Sequence, residues 1–455
     1  MLEVKVDPRP LEALAGILTP EQAKRFRSAT ERAAGALSGR VVWNVSSTAT
    51  GGGVAEMLRT LLGYVAGAGV QTRWLVIAGD PGFFAVIKRL HNAIHGAEGG
   101  ADLGAAEHQL YERVLERNAA ELLRLVGRDD LVLLHDPQTA GLVGPLRAAG
   151  APTVWRSHIG RDAPNDASDR AWGFLRRYVE AADGFVFSRR QYSPGWLPVD
   201  KLWVIPPSID PLSAKNRPIP PEECLDILTR AGLLAGTAAT RAGVVQGAPP
   251  PTADTRLVVQ VSRWDRLKDM AGVLAGFGRL PSAAQDAHLM LVGPAVAGIS
   301  DDPEGAQVLA ECLEAWGSLP PGVRDRVHLA SVPMDDPDLN ATIVNAVQRH
   351  AAVVTQKSIA EGFGLTVAEA MWKAKPVVAS AVGGIRDQIV SGRDGLLVDD
   401  PHDLDVFAAA VGRVLADDQL AGRLGTAAHQ RVQDQFLGDR HLEQYADLFT
   451  TLLDG

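Results

Sequence analysis

Short apolar runs alternate with longer segments whose apolar residues recur every three or four positions, and this alternation occurs twice along the chain. The first set of runs is Val41-Val42-Trp43-Asn44-Val45, Trp74-Leu75-Val76-Ile77, Leu131-Val132-Leu133-Leu134, Thr153-Val154-Trp155, Phe185-Val186-Phe187 and Leu202-Trp203-Val204-Ile205. Each reads as a buried strand. After the first of them, Val54, Met57, Leu58, Leu61, Leu62 and Val65 form a helical stripe suited to packing on a sheet. A further helix is predicted from about Pro20 to Leu37, behind a short N-terminal arm. The second set is Leu257–Val261, His288–Val292, Val327–Leu329, Val353–Val354, Pro376–Ala379 and Gly395–Val398. Strands separated by helix-length segments predict parallel sheets covered by helices.

Between the two sets lies Pro206-Pro207-Ser208-Ile209-Asp210-Pro211, whose prolines mark a stiff connection. A chain of 455 residues, 46% of them hydrophobic, exceeds what one core usually sustains, so two domains are expected. The expected division is 1–210, 211–436 and a terminal helical stretch, 437–455, crossing back to the first domain. The fold class expected is α/β, with two facing doubly wound domains and a cleft bordered by the C-terminal ends of both sets of strands. The segment from Gly236 to Thr255, rich in Ala, Gly, Pro and Thr, is expected to be a mobile surface loop without chemistry.

A formal charge of −9 argues against a nucleic-acid partner, so any phosphate site must be local and built from a few positioned groups. The two cysteines, Cys224 and Cys312, read as buried thiols rather than a disulfide framework or a zinc site. The N-terminus carries Glu3, Asp7, Pro8 and Pro10 where a leader would be basic and apolar, and no apolar run reaches membrane-spanning length. A cytoplasmic protein with no membrane partner is expected.

Candidate chemistry gathers behind the strands. Glu361-Gly362-Phe363-Gly364-Leu365-Thr366-Val367-Ala368-Glu369 runs from a strand end, through a glycine-flanked turn, into a helix. Backbone N–H groups at such a helix start favour a phosphate. Glu361 is placed to accept hydrogen bonds from sugar hydroxyls and Glu369 to reach a ribose, although a glutamate in a first turn also merely complements the helix dipole. Val261-Ser262-Arg263-Trp264-Asp265-Arg266-Leu267-Lys268 sets Arg263 and Lys268 at another strand end, where two cations would neutralise a diphosphate; solvated surface cations are the bland alternative. Gly51-Gly52-Gly53 joins a strand to a helix without the spacing of a dinucleotide fingerprint. His158, Arg156, Asp136 and Gln138 also follow or end strands, and Lys88, His91 and Asn92 share one helical face that would otherwise be solvated. Asp336-Pro337-Asp338 and Asp403-Leu404-Asp405 match a short metal-bridging pattern but stand where helix caps are expected. No Gly-Lys phosphate loop, His-Glu-x-x-His run or Gly-x-Ser-x-Gly elbow occurs.

The glutamate pair, with Arg263 and Lys268 upstream, resembles the retaining glycosyltransferases of family 4, which have the GT-B fold. Gly51-Gly52-Gly53-Val54-Ala55-Glu56, Lys88 with His91-Asn92, His135-Asp136-Pro137-Gln138, Pro206 to Pro211 and Val261 to Asp265 look like the trehalose glycosyltransferring synthases within it. The resemblance implies transfer of glucose, with retention and reversibly, from a nucleoside-diphosphate glucose such as UDP- or ADP-glucose to glucose, forming α,α-trehalose. It further implies catalytic roles for Arg263, Lys268, Glu361 and His158. Donor contacts would come from Gly52, Gly53, Arg263, Lys268, Glu361, Gly362, Phe363, Gly364, Leu365 and Glu369, and acceptor contacts from Lys88, His91, Asn92, Asp136, Gln138, Arg156 and Arg161. No cofactor is implied for the chemistry, magnesium is not expected as a protein-bound ion, and the sugar nucleotide and sugar acceptor are the partners, in a homodimer. Gly160-Arg161-Asp162 departs from the acidic residue that trehalose-forming relatives tend to have after the His-Ile pair, which raises a modified or phosphorylated acceptor as an alternative. A retaining trehalose phosphorylase and a non-catalytic sugar-nucleotide sensor are the other readings.

Overall fold

The computed structural model describes residues 1–49, 53–97, 103–236, 244–247, 249–296 and 303–454. The chain divides into two units, the first formed by Met1–Ser208 and Leu437–Gly455, the second by Ile209–Phe436.

In the first unit the strands are β1 (Leu2–Val4), β2 (Val41–Ser46), β3 (Gln71–Val76), β4 (Leu131–His135), β5 (Thr153–Ser157), β6 (Gly184–Phe187) and β7 (Leu202–Val204). They form one sheet in the order β1-β3-β2-β4-β5-β6-β7. Every pairing is parallel except β1 with β3. The side-chain period of two then sorts the apolar runs between faces. Trp43, Val45, Val132, Leu134, Trp155, Phe185 and Phe187 enter one core with Tyr111 and Phe174. Their neighbours Val42, Leu131, Leu133, Val154 and Val186 enter another, which Leu448 and Phe449 of the helix Gly438–Asp454 complete.

The second unit contains β8 (Val244–Gly247), β9 (Leu257–Val261), β10 (His288–Pro294), β11 (Val327–Val332), β12 (Val353–Gln356), β13 (Val377–Ser380) and β14 (Leu396–Val398). Their order is β14-β13-β12-β9-β10-β11-β8, parallel except for β11 with β8. In each sheet the earliest parallel strand lies in the interior, and the chain builds outward from it in both directions. The strand order therefore reverses beside β2 in the first sheet and beside β9 in the second, and a crevice opens at the carboxyl ends of such neighbours.

Two expectations need correction. The segment from Gly236 to Thr255 is not all loop, because Val244–Gly247 adds an antiparallel edge strand to β11; residues 237–243 and 248 lie outside the described residues. Likewise the N-terminal arm contributes β1. Both strands are three or four residues long at sheet edges, too short to carry a hydrophobic period. Asp336 and Asp403 cap helices, each accepting two backbone N–H bonds through Oδ1.

The helix Asp418–Gln435 packs so closely on the end of the helix Leu365–Trp372 that a Cβ added at Gly425 would stand 2.1 Å from the Ala374 carbonyl oxygen. Backbone cannot withdraw as a flexible side chain would. Gly425→Ala is expected to cost about 1–3 kcal/mol or more, read as a lower midpoint for unfolding of the second unit in urea; an unchanged midpoint would show that this contact is loose.

Candidate active site

At the reversal point of the second sheet, the loops leaving β9 and β12 are joined. Lys268 Nζ donates to both carboxylate oxygens of Glu361, at 2.7 and 2.6 Å, and Glu361 Oε2 also accepts from Ser358 Oγ at 3.2 Å. The pair is largely shielded, with side-chain exposures of 16% and 10%. Ile359 N–H donates to the Leu267 carbonyl at 2.8 Å, and Lys357 N–H to Gln260 Oε1 at 2.9 Å. Beneath them the buried Lys357 is ion-paired with Asp269, a left-handed residue (φ 47°) that caps the next helix. Arg263 behaves differently. It is 60% exposed and pairs with Asp265 at 3.0 Å, so its guanidinium stands at the rim of the loop.

Past Glu361 the turn is held by glycine. Gly364 adopts φ 86°, a region where a side chain is strained, and precedes the helix Leu365–Trp372, which no side chain caps. Gly384 lies so near Phe363 that a Cβ there would be 2.6 Å from the Phe363 Cα, and Gly384 N–H donates to the Gly362 carbonyl at 3.1 Å. One turn into that helix Glu369 is buried, with Lys215 Nζ 3.8 Å from Oε1. Its Oε2 is inaccessible and has no hydrogen-bond partner among the described residues. Such an atom is costly without one. A ligand hydroxyl would supply it.

At the reversal point of the first sheet stand Asp136 and Gln138 after β4, with His158 after β5 in the neighbouring position. Asp136 is held at φ 65°, unusual for a residue with a Cβ, and its Oδ1 accepts from the His158 N–H at 2.7 Å. Burial pushes its pKa up to about 6. Gln138 is half-buried and its Oε1 lacks a partner among the described residues. The ring of His158 belongs to a chain: His158 Nε2 lies 3.2 Å from His135 Nδ1, and His135 Nε2 lies 3.1 Å from Asn44 Oδ1. Desolvation, with Arg156 nearby, drives both imidazoles down, His135 to about 3 and His158 well below its usual value. Both are therefore neutral at physiological pH. With Asn44 presenting an acceptor, His135 carries its proton on Nε2 and offers a lone pair at Nδ1, so His158 must donate from Nε2 and is left with a bare Nδ1.

Other expected positions fall out differently. Arg156 is 1% exposed, bonded to His441 Nε2 at 3.0 Å, to the Ile205 carbonyl at 3.2 Å and to the Tyr445 hydroxyl. It holds the terminal helix and is not presented to an acceptor, a correction that follows from the pleat turning it away from Trp155. Arg161 rests on Gly96, where an added Cβ would meet its guanidinium. That places it at the C-terminal end of the helix Pro81–Ile94, which carries Lys88, His91 and Asn92. Gly53 opens the helix Gly53–Gly67, while Gly51 and Gly52 lie outside the described residues. Sequence reasoning missed Asn44, His135, Lys357 and Asp269. Polar residues inside otherwise apolar strands were the available signal for the first two.

Two α/β units of this construction define a GT-B glycosyltransferase, and the comparisons with known proteins agree. Residues 44–194 match the family described as trehalose synthase, N-terminal domain, and residues 248–431 that described as glycosyl transferases group 1. The chain is 35% identical to the trehalose synthase of Pyrococcus horikoshii over 98% of its own length and 97% of that protein's, and 35% identical to that of Rubrobacter xylanophilus over 92% of each. The chain belongs to the trehalose synthase family. In fold it superposes with TM-score 0.67 on an E. coli trehalose-6-phosphate structure bound with UDP-2-fluoro glucose, at 16% identity, covering 90% of this chain and 99% of that one. Among the described residues no helix is long and apolar enough to cross a membrane, and no cluster of three or more metal-ligating side chains occurs.

The buried histidines have a stability consequence. His135, His158 and His441 all have folded pKa values below the ordinary 6.5, so the unfolded chain takes up protons first as pH falls. Their stabilisation is full above about pH 6.5 and is lost below it, whereas Asp136, raised to about 6, acts in the opposite sense between about pH 4 and 6. Asp439 and Glu443 are raised by burial as well, and His108, His288 and His350 are lowered, so six histidines outweigh three carboxylates. The melting temperature should fall as pH is lowered from 7 to 5, and ¹⁵N spectra of histidine-labelled protein at pH 6 should show His158 neutral with its proton on Nε2; a charged His158 there would contradict the chain of bonds.

Proposed function

We propose that this enzyme transfers glucose from a nucleoside-diphosphate glucose to the anomeric hydroxyl of glucose, with retention, to give α,α-trehalose. The observation that carries the reading is the Lys268–Glu361 pair at the reversal point of the second sheet, a cation and a hydroxyl acceptor fixed side by side. A sugar diphosphate needs those two functions adjacent. Lys268 and the rim guanidinium of Arg263 would hold the diphosphate, assisted by the uncapped start of the helix Leu365–Trp372 with the turn Gly362, Phe363, Gly364 and Leu365. Glu361 would accept from hydroxyls of the transferred sugar, and Glu369, through its unpartnered Oε2, from the ribose. Gly52 and Gly53 would approach the phosphates.

In the free enzyme Lys268 is neutralised by Glu361 and Arg263 by Asp265. A bound diphosphate would compete with those carboxylates for the cations, and the charge that grows on it as the bond from C1 to the phosphate oxygen breaks strengthens the competition. The electron pair leaves with the diphosphate, a bond forms from C1 to the acceptor's anomeric oxygen, and the proton of that hydroxyl passes to the departing phosphate oxygen. His158, neutral and with a bare Nδ1, would accept a hydrogen bond from the transferred sugar close to C1. Asp136 and Gln138, with Lys88, His91, Asn92 and Arg161, would bind the acceptor. No metal is assigned a step, and a cytoplasmic homodimer is the assembly proposed.

The trehalose synthase relatives support the product, and the same comparisons give a reason to test phosphate. The trehalose phosphorylase of Pleurotus pulmonarius is 26% identical over 86% of this chain and 54% of that protein. Carbon-13 NMR of glucose incubated with UDP-, ADP- or GDP-glucose is expected to show α,α-trehalose with at least one of them. Trehalose cleavage dependent on inorganic phosphate, without any nucleotide activity, would replace the reading by a phosphorylase. Nucleoside diphosphate release without trehalose would redirect the acceptor to a modified sugar, with Arg161 as its contact.

Glu361→Gln removes the acceptor charge but leaves Lys268 free to meet phosphate. Turnover is expected to drop about a hundredfold or more, on the scale of one lost transition-state contact, while nucleoside diphosphate affinity measured by calorimetry stays within about threefold. Equal losses in both would mean that Glu361 merely shapes the loop.

A further inference from the structure

A second concave site lies at the opposite end of the second sheet. Helix Pro337–His350 ends just before β12, and Lys373 and Lys375 stand between the helix Leu365–Trp372 and β13, so Arg349, His350, Lys373 and Lys375 meet at the N-terminal edge of these strands. Glu361 follows the C-terminal end of β12, at the other edge. With Cys224 and the apolar Ile219, Pro221 and Leu225 on one side and Ala253 and Asp254 on the other, the four basic residues line a cavity of about 360 Å³.

The charge in that cavity is unbalanced. Asp254 is its single carboxylate, and it is exposed and makes no ion pair with the lining cations among the described residues. Lys373 is buried and donates to Asn216 Oδ1 at 3.0 Å, Gln348 Oε1 at 2.9 Å and the Glu369 carbonyl at 3.0 Å, all formally neutral acceptors. Arg349 donates to Asn345 Oδ1 and to the carbonyls of Asn216 and Arg217. Lys375 has no hydrogen-bonded side-chain partner among the described residues, and His350 Nε2 is inaccessible and unbonded. Burial pulls the pKa of Lys373 down to about 7 against the attraction of Glu369, and lowers that of Arg349; burial with repulsion from a neighbouring cation lowers those of Lys375 and His350. Lys373 has the Glu369 carboxylate near it, but the exposed Asp254 is the only carboxylate in the lining that faces Lys375, Arg349 and His350, and an anion that fills the space lowers the energy of cations held at a partly desolvated surface.

We propose that this cavity is a binding site for a small phosphorylated metabolite, its phosphate group held by Lys375, Arg349 and His350. A phosphate dianion offers several acceptor oxygens, enough for Lys375, the remaining guanidinium N–H groups of Arg349 and a protonated His350 Nε2. The cavity is larger than a phosphate ion, and its apolar side formed by Ile219, Pro221 and Leu225 suits the carbon frame of a sugar phosphate. The site is independent of the loop bearing Glu361, because it uses the other ends of the same strands.

The test is calorimetric titration of the full chain with glucose 6-phosphate, with inorganic phosphate and with glucose, carried out in an Arg263→Ala/Lys268→Ala background so that phosphate cannot report on the loops behind β9 and β12. Saturable binding of glucose 6-phosphate, weakened at least tenfold by Lys375→Ala and by the milder His350→Gln, with no binding of glucose, supports the site. Tighter binding of glucose 6-phosphate than of inorganic phosphate assigns the ligand as a phosphate ester; equal binding supports the anion site and assigns free phosphate. In wild-type protein labelled at histidine Cε1, the ligand should shift the His350 resonance and leave that of His158 in place, a readout that needs no variant to fold. Absence of binding at about 10 mM ligand, where a millimolar site would be saturated, overturns the proposal. So does binding that Lys375→Ala and His350→Gln leave unchanged.

Discussion

Parallel strands have a direction, and in each unit the direction of the sheet decides where chemistry is possible. All the crossover helices return to the same edge, so the loops at the opposite edge are the ones whose lengths and residues are free to vary. Because β2 and β9 are the first parallel strands of their sheets yet lie inside them, the chain moves to one side and then to the other, and two neighbouring loops diverge. Asp136, Gln138 and His158 border the first such point, and Arg263, Lys268 and Glu361 the second. The ion pair of Lys268 with Glu361 is a consequence: two loops separated by 93 positions in sequence leave adjacent strands and have only each other to meet.

That geometry explains what the sequence made legible. Glu361 could be recognised because everything that places it is local: an apolar strand, two glycines and the start of an apolar helix within a dozen residues. Arg263 and Lys268 were legible in the same way as residues behind a strand, but their different fates were not. Asp265, two residues from Arg263, holds it at the rim, while Lys268 turns inward to a partner that only strand order brings near. The edge strands β1 and β8 escaped because an edge strand of three or four residues buries little and needs no period. Asn44 and His135 were visible as letters in apolar strands, but their meaning depends on β2 and β4 being neighbours, which sets Asn44 against His135 and so fixes the nitrogen that His135 turns to His158.

Arg156 is the sharpest divergence between letters and structure. It stands next to Ser157 and His158 at a strand end, where a cation invites a functional reading. Successive side chains on a strand point to opposite faces, and Arg156 enters the face covered by the helix Gly438–Asp454. The residues that receive it, His441 and Tyr445, come nearly three hundred positions later, beyond the reach of any local pattern. None of its bonded partners is a carboxylate. A guanidinium retains its charge at any pH met in a cell, so its burial must be offset by hydrogen bonds to neutral acceptors, and the same positive charge helps to keep His135, His158 and His441 unprotonated.

The dependence runs further, to the order in which the chain can finish folding. His441 also meets the Ser208 hydroxyl at 2.9 Å, and Arg440 donates to the Pro206 and Pro207 carbonyls at 2.8 and 2.9 Å. On the other side of the two crossing points, Ile209 N–H donates to the Phe436 carbonyl at 2.9 Å. The outgoing and returning segments are thus bonded to each other within each unit. Until the last eighteen or so residues arrive, Arg156 lacks His441 and Tyr445, two of its three acceptors, and the core face of Val42, Leu133 and Val154 lacks Leu448 and Phe449. The second unit, by contrast, is continuous from Ile209 to Phe436. The unit translated first is therefore the one completed last, because two acceptors of its buried cation and part of one core face are supplied by the end of the chain.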